Sequence, residues 1–339
     1  MKLDTGAPEL IVDSVFVEEN KEKLHIGGLL YPFPFLTPNG IRTGYTLYYT
    51  GNSMIKTQIG KNVFFHKNPI VTHAYGHSLF PVNIIGKEKI ININLKEKYM
   101  ALLDSLTYTA DTIPFRVGES GAPIIKMPLQ IITADTCFEI SVDFVLDLGY
   151  GGDIVLPAAF LHKELKGLPY HDFHQITHIQ DKPTTGILTY DVSVNISAFN
   201  MYLPKAEIRY SYYLEDGLIG IDFLKHFNFA IDYRKLLFHY HSDKDTITYD
   251  REASWGGLGF TKATDTINDI ENLLYVGFLL KNAKADSLGI NLYDNVIKVN
   301  DIEVTKRNYE ALFKDSFAPT AKSLTIKKKD NSTIKIYNE

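Results

Sequence analysis

The feature that most constrains this chain is a repeat at a fixed distance. Leu3-Asp4-Thr5-Gly6 leads to Ile11-Val12, and Leu146-Asp147-Leu148-Gly149 leads to Ile154-Val155. Both pairs lie 143 residues apart, from 4 to 147 and from 11 to 154, with no gap. A second pair follows in the same order. Ile84-Ile85-Gly86 precedes Ile93-Asn94-Leu95-Lys96, and Leu218-Ile219-Gly220 precedes Ile231-Asp232-Tyr233-Arg234. Each half therefore reads as Asp-x-Gly, a long stretch, two aliphatics with a glycine, then a strand. Self-similarity at a long fixed period is the mark of a duplicated unit.

The local pattern is that of β-structure. Ile91-Asn92-Ile93-Asn94-Leu95 and the run Leu188 to Ile196 alternate apolar with polar residues, as half-buried strands do. The 21 Tyr and 20 Phe favour sheets. Short helices are expected at Pro157 to Glu164 and Asp222 to His226. Strand-rich halves punctuated by Gly and Pro predict a mostly β protein with barrel-like or sandwich-like lobes. A chain of 339 residues holds two or three domains. The repeat and a change of pattern near residue 250 divide it into 1–120, 121–250 and 251–339.

Charge and composition exclude several classes. A net charge of −5 and a pI near 6.1 give no basic field for nucleic acid or anionic lipid. No stretch is apolar enough to span a bilayer, and no signal peptide is visible. The single cysteine, Cys137, forms no intrachain disulfide, and its strand-like run predicts a buried structural residue. His171, His174 and His178 are close in sequence, and on a helix two of them would share a face as zinc ligands do. No Cys or suitable Glu completes such a site, so the expectation is a solvated loop and no metal. His239 and His241 read as exposed alternation after a strand.

Beyond residue 250 a new unit begins. Trp255-Gly256 leads into Gly257-Leu258-Gly259-Phe260. A strand at Leu274–Leu280, a short helix over 283–290 ended by Gly289, a strand–turn–strand over 295–304, a helix over 307–313 and a hairpin over 323–337 follow. This order resembles a PDZ domain. Gly257-Leu258-Gly259-Phe260 reproduces that family's GLGF loop, and Ala285 to Asp301 follows its next motif, with Tyr293 and Asp301 standing where the family has glycines. The resemblance implies a peptide-binding module. Successive backbone N–H groups of the loop converge on a carboxylate, and the peptide adds as a strand to the adjacent edge. Without ligand, the glycines would simply make a tight turn.

The first 250 residues resemble two-lobed aspartic proteases of the pepsin and bacterial retropepsin-like type. Asp4-Thr5-Gly6-Ala7 matches the family's D-T-G-A, and Leu146-Asp147-Leu148-Gly149 stands in its place in the second half. Ile84-Ile85-Gly86 and Leu218-Ile219-Gly220 match its hydrophobic–hydrophobic–Gly element behind the catalytic loop. The resemblance implies a catalytic dyad of Asp4 and Asp147, supported by Thr5, Gly6, Ala7, Leu148, Gly149, Gly86 and Gly220. Two carboxylates about 3 Å apart share one proton. One then acts as base on a water while the other polarises the scissile carbonyl, with no cofactor. The pair titrates as a unit, so neither Asp carries a fixed role.

Two departures bear on this expectation. The family's Thr bonds across to the opposite lobe; Thr5 has that hydroxyl and Leu148 lacks it. The repeat also predicts a lead-in before Asp4 like Met127 to Leu146 before Asp147, yet only Met1, Lys2 and Leu3 precede it. A terminal Asp4 would be prone to fraying. Tyr45, Tyr48 and Tyr49 fall where a first-lobe flap hairpin belongs. The resemblance implies a peptide or protein substrate, a peptide end at the PDZ loop, and a periplasmic, cell-envelope or secreted setting. A degenerate protease body serving as a peptide-binding scaffold is the alternative.

Overall fold

The computed structural model describes residues 2–4, 10–20, 22, 26–37, 40–49, 55–59, 62–66, 70–72, 79–86, 89–108, 110–176, 184–242, 255–262, 273–316 and 320–338. The protein is mostly β. The chain divides into two compact units. One comprises Met1–Leu168 and Tyr190–Ile247, the other Pro169–Thr189 and Thr248–Glu339. The segment 169–189, which sequence order assigns to the second repeat, thus belongs with the C-terminal unit.

The duplication is written in the strand order. In the first half neighbouring strands run Lys2–Asp4, Leu79–Pro81, Ile11–Asp13, Ile70–Thr72, Gly40–Tyr49. In the second they run Cys137–Leu146, Gly217–Ile219, Ile154–Pro157, Met201–Ser211, Thr184–Ile196. Directions match as well. The first pair of neighbours is parallel in each half, the next antiparallel and the next parallel. The strands before and after each Asp-x-Gly sequence are therefore separated by a strand from far along the chain. Such a threaded arrangement does not arise from local hairpin pairing.

A five-stranded sheet joins the halves. Hairpin Ile90–Asn94/Tyr99–Leu103 lies beside hairpin Asn228–Asp232/Leu237–His241, with Ile93 opposite Phe229 and Asn92 opposite Ala230. The two hairpins are 138 residues apart, from 90 to 228 and from 99 to 237. Their turns are built alike. Lys98 and Leu236 both have φ of 55°. The Glu97 amide donates to Asn94 Oδ1 at 2.8 Å, and the Arg234 and Lys235 amides donate to Asp232 Oδ1 at 3.1 and 3.3 Å. Ile91, Ile93, Phe229, Ile231 and Phe238 alternate onto one face and are all buried. Each such side chain contributes about 1.5–3 kcal/mol.

The C-terminal unit carries its own core. Trp255, Leu274, Val276, Ile290, Val299, Leu324 and Ile326 are buried together. The Trp255 indole N–H donates to the carbonyl of buried Ser316 at 2.8 Å, fixing the residue before the glycine loop to the end of helix Tyr309–Asp315. Strand His171–Gln175 extends this sheet by pairing with Leu274–Leu280, with Phe173 opposite Leu280 and Gln175 opposite Phe278. The Ile176 amide to Gly277 O and the Lys281 amide to Asp172 O, both 2.8 Å, extend the ladder. Phe173, Leu188 and Leu280 form a small second core, with Phe173 stacked on Phe278 at 5.2 Å.

Three expectations are corrected here. His171 and His174 lie on a strand, not in a loop or helix, and His178 lies outside the described residues. Cys137 is exposed. It opens strand Cys137–Leu146, where alternation turns Ile140, Val142, Phe144 and Leu146 inward and Cys137, Glu139 and Ser141 outward. His239 is half-buried, not exposed, and its Nε2 has no hydrogen-bond partner.

Candidate active-site turn and glycine loop

Strand Cys137–Leu146 delivers Asp147 to the start of a tight turn. The Asp147 amide donates to Ile219 O at 2.8 Å, which anchors the turn to the threaded strand Gly217–Ile219. The Gly149 amide donates to Asp147 Oδ1 at 2.7 Å, so the turn orients the carboxylate itself. Leu148 is buried, 8% exposed, and Gly149 is exposed. Arg116 Nη2 bridges the two parallel strands, reaching Asp143 at 3.0 Å and Asp216 at 3.3 Å. Both carboxylates and the guanidinium are well solvated, so the bridge adds little stability.

Gly220 sits directly behind this turn. Its amide donates to Asp153 O at 2.8 Å; those of Ile221 and Asp222 donate to Tyr150 O at 2.8 Å and Gly152 O at 3.3 Å. A Cβ at Gly220 would collide with the Gly152 carbonyl and lie 2.5 Å from Tyr150 Cδ1. Close approach of backbone to backbone is what requires glycine here.

In the first half, Asp4 ends strand Lys2–Asp4, opposite Pro81, as Leu146 stands opposite Ile219. Asp4 therefore stands at the register place of Leu146, one residue before that of Asp147. The Asp4 side chain and Thr5, Gly6 and Ala7 lie outside the described residues. Tyr45, Tyr48 and Tyr49 fall on strand Gly40–Tyr49, which forms a hairpin with Ile26–Thr37. Gly86 occupies a different place from Gly220. It ends helix Val82–Gly86, and on the hairpin offset of 138 its counterpart is Leu224, while that of Gly220 is Val82. What Gly86 accommodates is the Tyr233 ring, which a Cβ would strike.

In the C-terminal unit, Gly256 and Gly257 have φ of 65° and 89°, and a Cβ at Gly257 would meet Ala283 and Leu280 at 2.7 and 2.9 Å. The loop's carbonyls face inward, Gly257 O accepting from the Leu280 amide and Gly256 O from the Ala285 amide. Leu258, Gly259 and Phe260 start strand Leu258–Lys262, which pairs with Leu274–Leu280 and has a bulge between Gly259 and Phe260. Helix Tyr309–Asp315 packs beside that strand. Among the described residues strand Leu258–Lys262 pairs with Leu274–Leu280 alone.

Among the described residues no group of three or more His, Cys, Asp or Glu is gathered as a metal site would need. Sequence reasoning missed Tyr150, although a bulky aromatic directly after Asp-x-Gly, where the first half has Ala7, was a visible signal. It also missed Arg116, which nothing in the sequence marks. No protein-family model matches the chain, and neither does any curated protein.

Proposed function

We propose that this protein is an aspartic endopeptidase of two retropepsin-like lobes, Asp4 and Asp147 sharing a proton and activating water, followed by a PDZ-like peptide-binding unit. The observation that carries the reading is that the strands flanking the two Asp-x-Gly sequences share one order and one set of directions. Two copies of one Asp-bearing segment are an economical source of the paired carboxylates such a dyad needs. The orientation of Asp147 Oδ1 by the Gly149 amide supports it, since an acid–base carboxylate must be held in place. The glycine loop, strand Leu258–Lys262 and helix Tyr309–Asp315 support peptide binding in the C-terminal unit. No helix among the described residues is long and apolar enough to cross a membrane.

A second reading, a scaffold that binds peptides without cutting them, is favoured by one observation. Buried Leu148 occupies the position from which a hydroxyl would brace the dyad. Cleavage of a peptide library from acid to neutral pH separates the two. The protease reading expects cleavage that falls roughly a hundred- to ten-thousand-fold in both Asp147→Asn and Asp4→Asn. A folded protein that cuts nothing at any pH overturns it and leaves the scaffold; cutting that survives both substitutions overturns both readings.

A further inference from the structure

Leu148 removes the hydroxyl brace, yet the turn around Asp147 is densely stapled. Six hydrogen bonds hold it: Asp147 N to Ile219 O, Gly149 N to Asp147 Oδ1, Tyr150 N to Asp147 O, Gly220 N to Asp153 O, Ile221 N to Tyr150 O and Asp222 N to Gly152 O. Tyr150 is at the centre of this set, giving its carbonyl to Ile221 and its amide to Asp147 O at 3.4 Å. One edge of its ring runs along two glycines. A Cβ on Gly152 would sit 2.6 Å from Tyr150 Oη and 2.8 Å from Cε1, and one on Gly220 would sit 2.5 Å from Cδ1. These approaches are far inside van der Waals contact, so the ring fills the space that side chains at 152 and 220 would use.

The repeat supplies an internal control. At the offset of 143 the counterparts of Tyr150 and Gly152 are Ala7 and Glu9, and at 138 the counterpart of Gly220 is Val82. The first half has a small residue after its Asp-x-Gly and side chains at the other two positions. The second half has a large ring after its Asp-x-Gly and none at the other two. Volume has moved from two positions into one.

We propose that Tyr150 is the positioning residue of the second Asp turn, its ring wedged along Gly152 and Gly220 so that packing replaces the missing hydroxyl in orienting Asp147. The catalytic consequence rests on the protease reading; the wedge itself does not. The Gly149 amide, bonded to the carboxylate, reports the orientation without any substrate.

The test compares Tyr150→Ala and Tyr150→Phe with the unaltered chain by amide hydrogen exchange and peptide cleavage. Tyr150→Ala is expected to lower protection at Gly149 and Ile221 by about tenfold or more, leaving Ile231 and Phe238 in the joining sheet unchanged. Tyr150→Phe keeps the ring and is expected to keep both amides protected. Where cleavage is measurable, kcat falls in Tyr150→Ala with KM nearly constant and is restored in Tyr150→Phe. Gly152→Ala, which keeps Tyr150 but crowds its ring, gives a check that does not depend on Tyr150→Ala being well folded: it is expected to lower protection at Gly149 and Ile221 while sparing Ile231 and Phe238. Its destabilisation should shrink when Tyr150 is also Ala, whereas that of Gly220→Ala, which also strikes the Gly152 carbonyl, should persist. Equal loss of protection at Gly149 and throughout the joining sheet, or no coupling between positions 150 and 152, overturns the proposal. Absence of cleavage in every form would sink the protease reading and leave the amide result to decide the wedge.

Discussion

The allegiance of segment 169–189 can be tested with one substitution, Phe173→Ala. Phe173 is 7% exposed and packs with Leu188 and Leu280 in a small core, stacked on Phe278 at 5.2 Å. Truncating a buried Phe costs about 3–5 kcal/mol, and a small cluster that can partly collapse places the change near the lower value, about 3 kcal/mol. The chain's single tryptophan, Trp255, is buried in the C-terminal unit, so its fluorescence reports that unit. For a unit of roughly 110 residues a urea slope of about 1.5 kcal/mol per molar is reasonable, so the Trp255 midpoint should fall by about 2 M. Domains of ordinary stability hold about 5–15 kcal/mol, so the variant remains folded in buffer. A Trp255 midpoint that moves by less than about 0.5 M, while circular dichroism shows the loss elsewhere, would refute membership of 169–189 in this unit.

Two further outcomes follow from buried groups. Trp255→Phe removes the donor to Ser316 O and leaves a buried carbonyl unpaired, at about 2–3 kcal/mol, which a thermal melt of the C-terminal unit should register as a drop of about 10 °C; a change under about 3 °C would mean that water replaces the indole. Burial pushes the Tyr150 phenol up to about 12 from an ordinary value of 10.0. Because the folded value is the higher one, its stabilisation is complete below pH 10.0 and is lost as pH climbs toward about 12, by about 2–3 kcal/mol. Urea titrations across that range should show a shallower decline in Tyr150→Phe than in the unaltered chain, and parallel declines would contradict burial of the phenol.

The duplication was legible because Asp-x-Gly turns and the aliphatic strands after them tolerate little change in spacing. Ile11–Asp13 and Ile154–Pro157 keep the offset of 143 in the folded chain, and Ile93 and Ile231 occupy matching places in the two joined hairpins. The pairing of Gly86 with Gly220 was misleading because two aliphatics and a glycine carry little information. Ile84-Ile85-Gly86 has that pattern inside a helix, whereas Leu218-Ile219 is strand. Two chain segments about a hundred residues apart, 171–175 and 278–280, form one ladder, and neither announces its partner. Non-local pairing of that kind is specified by the whole core and not by any short pattern. Cysteine's general preference for burial points the wrong way for Cys137, whose place on the outward side of an alternating strand exposes it.

The differences between the halves are themselves informative. A turn that had merely lost its role would be free to accumulate unrelated side chains behind it. Around Asp147 the changes instead fit one another: a ring at Tyr150 leaves no room at Gly152 or Gly220, and both are glycine. In the other half Ala7 is small, and Glu9 and Val82 bear side chains. The fit of this ring to two glycines surrounds the turn that carries the bond from Gly149 to the Asp147 carboxylate. Under the protease reading, Leu148 therefore argues less against a working dyad than its missing hydroxyl alone suggests, since on the proposal above the packing of Tyr150 supplies the orientation that hydroxyl would secure.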